Sequence, residues 1–339
     1  MTIFAQFSKR TAPRGPGNFG AKPRHGDALN KKDAMDRKIK GTMLGAAAAA
    51  TYGMNPLFAL PLYQAGLGVD SVLFYRYSMA IVILAVIMKL RGESFAITRR
   101  ELLPLIVMGL LFSLSSFFLF SSYNYMDAGI ASTMLFVYPV MVAVIMALCF
   151  HEALSAVTVI SIVLALSGIA LLYRGGDGAA LNLTGMLLVM LSALAYAIYI
   201  VGVNRSSIAS FPSLKLTFYV LLFGFSIYLV RLDFGTALQV VPRPWLWLDA
   251  AALALLPTVL SLMATNLSAQ YIGPTPTAIL GALEPVTAVF FGVLIFGERL
   301  SPRLLGGILL VIMAVMLIVA GKPLAHKLHH LHLPHRHRI

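Results

Sequence analysis

Ten stretches of about twenty mostly apolar residues follow one another along this chain, at 42–63, 69–90, 102–123, 128–149, 154–173, 184–204, 213–231, 246–270, 275–296 and 303–321. A helix of about 20 such residues is long enough to cross a hydrocarbon core about 30 Å thick. Short connections join the runs, marked by turn residues such as Arg174-Gly175-Gly176-Asp177-Gly178 and Pro242-Arg243-Pro244. Polar residues do not alternate with apolar ones inside the runs, which excludes a strand-based barrel. Of the 339 residues, 59% are hydrophobic and 12% charged, too few charges to coat a water-soluble core of that size. The expected fold is an all-α membrane protein with ten transmembrane helices. A soluble enzyme, a disordered regulator and a DNA-binding domain are excluded.

The net charge of +13 is concentrated at the ends: residues 1–40 hold ten Lys/Arg and three Asp, and residues 322–339 hold four Lys/Arg and no acid. The interior 41–321 is left at +2. An even number of spans puts both ends on one side. If that side is cytoplasmic, it holds 20 Lys/Arg and the other face holds five. Both segments therefore read as flexible basic cytoplasmic tails whose partner is the lipid bilayer, with no nucleic acid implied. The N-terminal segment lacks an apolar signal region, so the first span is expected to direct insertion. The single Cys149 excludes an intramolecular disulfide and any cysteine-based metal cluster.

The chain also repeats itself. Tyr138-Pro139 and Glu284-Pro285 lie 146 residues apart, as do His151-Glu152 and Gly297-Glu298, Tyr125 and Tyr271, and Ser115 and Ser261. Gly41 and Gly185, Tyr52 and Tyr196, and Phe74-Tyr75 and Phe218-Tyr219 match at 144. The domains are thus a tail at 1–40, a first five-helix repeat at 41–175, a second at 182–321 and a His-rich tail at 322–339. Because five is odd, the second repeat enters the membrane in the opposite sense. Inverted repeats of this kind typify secondary transporters, with the substrate site near the midplane between the halves.

The segments Ala128-Gly129-Ile130-Ala131 through Tyr138-Pro139 to His151-Glu152-Ala153-Leu154, and Pro274 through Glu284-Pro285 to Gly297-Glu298-Arg299-Leu300, resemble the EamA-type family of drug/metabolite transporters. Phe74-Tyr75-Arg76-Tyr77 resembles that family's aromatic-x-Arg segment in the second helix. The resemblance implies export or exchange of a small metabolite by alternating access, through a cavity lined mainly by helices 1, 3, 4, 6, 8 and 9. It also implies a bacterial cytoplasmic membrane.

Charged groups inside spans are costly and mark candidate function. Glu284 lies about 15 Å into the ninth run at 1.5 Å per residue, close to the midplane. Tyr138 falls at matching depth in the fourth. Arg76 is about 10 Å in from the outer end of the second run, near enough in depth to pair with Glu284. Glu284 is expected either to take a cationic substrate group or coupling proton, or to be a neutral packing residue. Arg76 is expected to snorkel or cap a helix end, with anion binding as the alternative. Pro139 and Pro285 interrupt their helices and free the carbonyls of Leu135 and Gly281. Tyr52, Asn55, Tyr196 and Asn266 complete the candidate substrate or coupling set, with Tyr199, Asn204 and Gln270 on the same spans. Their aromatic and amide groups suit an amphipathic metabolite such as an amino acid.

Other polar residues read as structural. Ser113, Ser115, Ser116, Ser121 and Ser122 permit close packing, as does the Gly45–Ala50 stretch. Glu152 and Glu298 sit at helix starts and favour a helix N-terminus. His326, His329, His330, His332, His335 and His337 read as a basic lipid-facing tail before a zinc site. No catalytic residue, metal or cofactor is expected: His151 alone lies near a span, and no His-Glu-x-x-His or Ser/His pair appears. No Gly-rich filter or charge ring suggests a channel, and no phosphate loop suggests ATP-driven pumping. A carrier of nucleotide sugars or phosphorylated metabolites and a non-transporting scaffold remain as alternatives, with a proton or counter-substrate and a homodimer as partners still open.

Overall fold

The computed structural model describes residues 25–151, 156–172, 182–272, 277 and 280–331. Glu152, the Arg174–Gly178 turn, Pro274 and the last histidines lie outside these residues. Every regular element among the described residues is helical. The first leg is α1 (His25–Gly53) and α2 (Asn55–Gln64), separated at Met54 where Pro56 brings no N–H to continue α1. Next come α3 (Val69–Leu90) and α4 (Arg99–Ser122), the latter entered through a Thr98/Glu101 capping box. Then α5 (Ala128–Leu135) and α6 (Tyr138–Phe150) form a leg broken at Phe136-Val137, with Pro139 in the first turn of α6. The last helix of this half is α7 (Ala156–Leu172).

The second half holds α8 (Leu183–Arg205), capped by Asn182, and α9 (Ser213–Arg231). A leg follows in which α10 (Leu246–Ala254) passes through a π-helical turn at Leu255–Leu260 into α11 (Ser261–Ile272). Last are α12 (Leu283–Phe296) and α13 (Pro302–Leu331). Six stretches are long and apolar enough to cross a membrane: Val69–Leu90, Arg99–Ser122, Ala128–Phe150, Leu183–Arg205, Ser213–Arg231 and Leu246–Ala269. Ala156–Leu172, Leu283–Phe296 and Pro302–Leu317 are shorter apolar helices. Helix also reaches back to His25 and on to Leu331, into both segments read from sequence as flexible tails.

The packing repeats as the sequence does. Gly41 backs onto Tyr271 and Ile272, and its counterpart Gly185 backs onto Tyr125 and Met126. Ser261 Oγ donates to the Ala48 carbonyl at 2.9 Å, binding α11 to α1. At the matching place Ser192 Oγ donates to the Ser115 carbonyl at 2.7 Å, binding α8 to α4. His151 and Gly297, 146 residues apart, both end their helices in the left-handed conformation, at φ 54° and 69°. Each half therefore clasps the other through the same surfaces. Between these junctions α4 and α9 approach at Gly109 and Gly224, while α7 and α13 meet at Gly168 and Gly307. In lipid, where helices gain nothing from hiding apolar surface from one another, such close backbone approach supplies the adhesion. The serines of α4 take part: Tyr77 donates to Ser116 Oγ at 2.8 Å and Tyr228 to the Ser113 carbonyl at 2.9 Å.

A methyl group at Gly109 would lie 2.9 Å from Val220 O and from Gly224 N, both backbone, whereas one at Gly306 meets only Leu171 Cδ1 at 3.8 Å. Gly109→Ala is expected to cost about 1–3 kcal/mol through overpacking, and Gly306→Ala to be neutral. Thermal melting of the detergent-solubilised proteins, read as loss of the monodisperse size-exclusion peak, checks the contrast.

Candidate functional site

Between the halves lies a cavity of about 320 Å³. Its walls come from α1, the α5–α6 leg, α8, α9, α11 and the approach to α12. The third apolar run, α4, contributes no lining residue, contrary to the lining set implied by resemblance. The Ser115–Ser192 hydrogen bonds hold α4 behind α8 instead, while Ser213, Leu216 and Thr217 of α9 take part in the wall.

Five of the residues singled out from sequence meet here: Tyr52, Tyr138, Tyr196, Asn266 and Glu284 all line the cavity, and Tyr199 and Asn204 join them. The Tyr138 ring meets Tyr196 edge-on, with centroids 4.7 Å apart and planes at 77°. Tyr196 in turn stacks on Tyr199 at 5.7 Å and 15°, and Phe112 of α4 supports both from behind. Leu135 and Gly281, whose carbonyls precede Pro139 and Pro285 by four residues, both border the cavity. The two proline positions open the first turns of α6 and α12, so each leg breaks beside the cavity and presents Tyr138 or Glu284 to it. The side chain of Gln270 lies outside the described set.

Asn55 and Arg76 are not brought into this wall. Asn55 is 3% exposed and donates through Nδ2 to the Tyr52 carbonyl at 2.8 Å. Arg76 is 2% exposed, so it does not snorkel to an interface. Its Nε donates to Thr258 Oγ1 at 2.9 Å and its guanidinium lies over the Phe120 ring, 5.0 Å from the centroid. Thr258 passes a hydrogen bond to the carbonyl of Leu253, five residues back, a spacing set by the π turn around Pro257. Among the described residues, no ion pair joins Arg76 to Glu284. The Tyr52 hydroxyl lies within electrostatic reach of both.

The cavity extends from the middle of the bundle toward the face where α1 begins and α13 ends, which we call the tail face. The opposite half is closed by side chains. Gln239 accepts from the Gly68 N–H at 2.5 Å, its carbonyl accepts from Tyr75 at 2.9 Å, and its own N–H donates to Ser71 Oγ at 3.1 Å. Asp70 and Arg231 form a two-pronged ion pair at 2.5 and 3.1 Å, and Tyr63 donates to the Phe120 carbonyl at 3.2 Å. Sequence reasoning missed Gln239 and Thr258. Gln239 sits in a connection with no motif around it, and only Pro257 hinted that the neighbouring helix departs from regular winding.

Glu298 also acts on the closed face, though not at the start of its own following helix. Its Oε1 accepts from the Ala128 N–H at 2.8 Å, and Oε2 from the Gly129 N–H at 3.2 Å. It thus caps the N-terminus of α5 in the other repeat. The absence of side chains at Gly129 and Gly292 makes room for the carboxylate. Burial, assisted by nearby Asp127, raises its pKa from 4.5 to about 7, against the pull of the two backbone N–H groups.

Two interlocked repeats of membrane-crossing helices around a central, one-sided cavity define a multi-pass membrane protein of the transporter type. The sequence profile of the EamA-like transporter family matches residues 39–174 and 183–320, one match per repeat, and the chain belongs to that family. A solved structure described as "Crystal structure of protein" superposes with a TM-score of 0.61 at 18% identity, over 85% of this chain and 98% of that one. At that identity the likeness shows the fold alone. No curated protein matches the chain.

The Glu298 carboxyl binds its proton near pH 7 in the folded protein and near 4.5 once exposed. Its contribution to stability is therefore greatest below about pH 4.5 and falls away as the pH rises to 7 and beyond. Glu298→Gln removes that slope, so its melting temperature should gain on the wild type as the pH is raised from 5 to 8. Glu298→Ala removes the cap itself and should cost about 1 kcal/mol.

Proposed function

We propose that this protein is a secondary active transporter that exports or exchanges a small metabolite by alternating access, with the cavity between its repeats as the substrate site. The observation that carries the reading is the convergence of Tyr52, Tyr138, Tyr196, Asn266 and Glu284, drawn from both repeats, on a cavity that extends toward one face. A carrier needs such a site at the seam of its two halves, so that rocking them exposes the same residues to either side in turn. In this reading the chain makes ten crossings, the broken legs counting as one each, and both tails are cytoplasmic by their Lys/Arg excess. The structure then represents the inward-facing state, and the Gln239 contacts and the Asp70–Arg231 pair are the outer gate. The membrane is the bacterial cytoplasmic membrane.

Glu284 carries the substrate's cationic group or the coupling proton. Arg76 and Asn55 support the site from behind Tyr52, where Arg76 fixes the π turn of the α10–α11 leg through Thr258. The alternative cargo of nucleotide sugars or other phosphorylated metabolites fits less well. The Lys, Arg and His side chains among the described residues all lie outside the cavity wall, and its charged member is an acid. Doubly anionic substrates favour cationic partners.

An untargeted comparison of metabolites retained by cells with and without the protein identifies the solute, and uptake into reconstituted vesicles tests it. Glu284→Gln is expected to lower transport about tenfold or more, the worth of one charge-assisted contact. If its residual transport keeps the wild-type pH dependence, Glu284 holds substrate and does not carry the proton. If no solute differs between cells and vesicles move none, the protein is a scaffold.

A further inference from the structure

Given that transport reading, on which it rests, we infer that the cavity selects organic monocations bearing an alkylated ammonium group. Glu284 is the charged side chain among the described residues of its wall. Tyr52, Tyr138, Tyr196 and Tyr199 line the same cavity, with Tyr196 meeting Tyr138 edge-to-face and stacking on Tyr199, and Phe112 fixing the stack from outside. A ring face carries negative potential, and several such faces around one anion form the setting in which a cation with little hydrogen-bonding capacity is held best. The hydroxyl groups of the wall point the same way. Ser261 donates to Ala48 O, Thr217 to Ser213 O and Thr265 to Ser261 O, each at 2.8–2.9 Å. With their protons committed to backbone carbonyls, these three offer the cavity lone pairs, and the two threonines methyl groups as well.

Anions find no cationic side chain among the described residues of the wall. The nearest buried cation, Arg76, lies behind Tyr52, engaged by Thr258, the Phe120 ring and the Tyr52 hydroxyl. Four tyrosine rings beside one carboxylate suit an alkylated ammonium group, which needs no directed acceptors and gains from a negative, ring-lined volume.

Choline and 3,3-dimethylbutan-1-ol share a shape and differ in charge, so they isolate the electrostatic part of recognition. Titration calorimetry on the full-length protein in lipid nanodiscs is expected to show choline binding at least about tenfold more tightly than the neutral isostere. Benzyltrimethylammonium should compete with it and phenylalanine should not. Glu284→Gln should abolish the preference for charge, and Tyr196→Leu should weaken choline binding more than Tyr196→Phe. Equal binding of the isostere, tighter binding of phenylalanine, or an undiminished preference in a folded Glu284→Gln protein overturns the inference. The wild-type isostere comparison decides the matter even if the variants do not fold. Vesicles loaded with cell extract separate the two levels of the reading: exchange of other solutes without affinity for cations sinks the cation inference alone, and absence of any exchange sinks the transporter reading with it.

Discussion

In a lipid environment a backbone amide that leaves its helix has no water to turn to, and this constraint governs the whole structure. It makes every described element helical, and it confines departures from regular winding to the protein interior. The departures observed obey it. The α1–α2 break at Met54, the Phe136-Val137 break, the π turn at Leu255–Leu260 and the start of α12 at Leu283 all face other helices or the cavity. Each is marked by a proline (Pro56, Pro139, Pro257 and Pro285), the residue that removes the N–H whose loss would otherwise cost most. The cavity and the helix breaks are therefore one feature. Bundled side chains give broken backbone somewhere to lie, and the breaks aim Tyr138 and Glu284 at the space between the halves.

Onto this scaffold the two repeats place different chemistry. Tyr52 and Tyr196 correspond, and so do Tyr138 and Glu284, giving the site three rings and one acid where strict symmetry would give pairs. Arg76 corresponds to Val220 and Asn266 to Phe120, so the buried cation and its ring partner lie in the closed half while the amide lies in the open one. A duplicated fold supplies two geometrically equivalent half-sites, and divergence at a handful of positions turns them into a polar entrance and a sealed floor.

How far sequence alone could reach follows from what it encodes. Run length fixes a helix and depth fixes a residue's height along it, so the apolar runs by themselves place Tyr138 and Glu284 at one level. Constant offsets exposed the repeat, and the mirrored contacts of Gly41 and Gly185 show how physical that signal was. Height is not direction, however. Arg76 and Glu284 lie at similar depths, yet Glu284 lines the cavity and Arg76 does not, and Asn55 turns back across the break to the Tyr52 carbonyl of α1. In an almost uniformly apolar helix no polar face betrays which side meets the cavity, and each proline break shifts the rotational register beyond it. The resemblance alone put α4 among the cavity helices; Ser115, one of the serines read from sequence as packing residues, ties it behind α8.

The closed face shows how small the chemical difference between open and shut can be. Glu298 fastens the α12–α13 connection to α5 by accepting the N–H groups of Ala128 and Gly129. In the repeated sequence, Glu152 takes the place of Glu298, and the positions equivalent to Ala128 and Gly129 are Pro274 and Thr275. Proline has no N–H, so the clamp with both bonds has no chemical counterpart on the tail face. A side chain that caps a helix N-terminus in this way is worth about 1 kcal/mol. In the alternating-access reading proposed above, a difference of that size between the two ends would favour the arrangement with this face closed. The face that keeps both amides is the one found sealed, and the face where proline removes one is the one toward which the cavity extends.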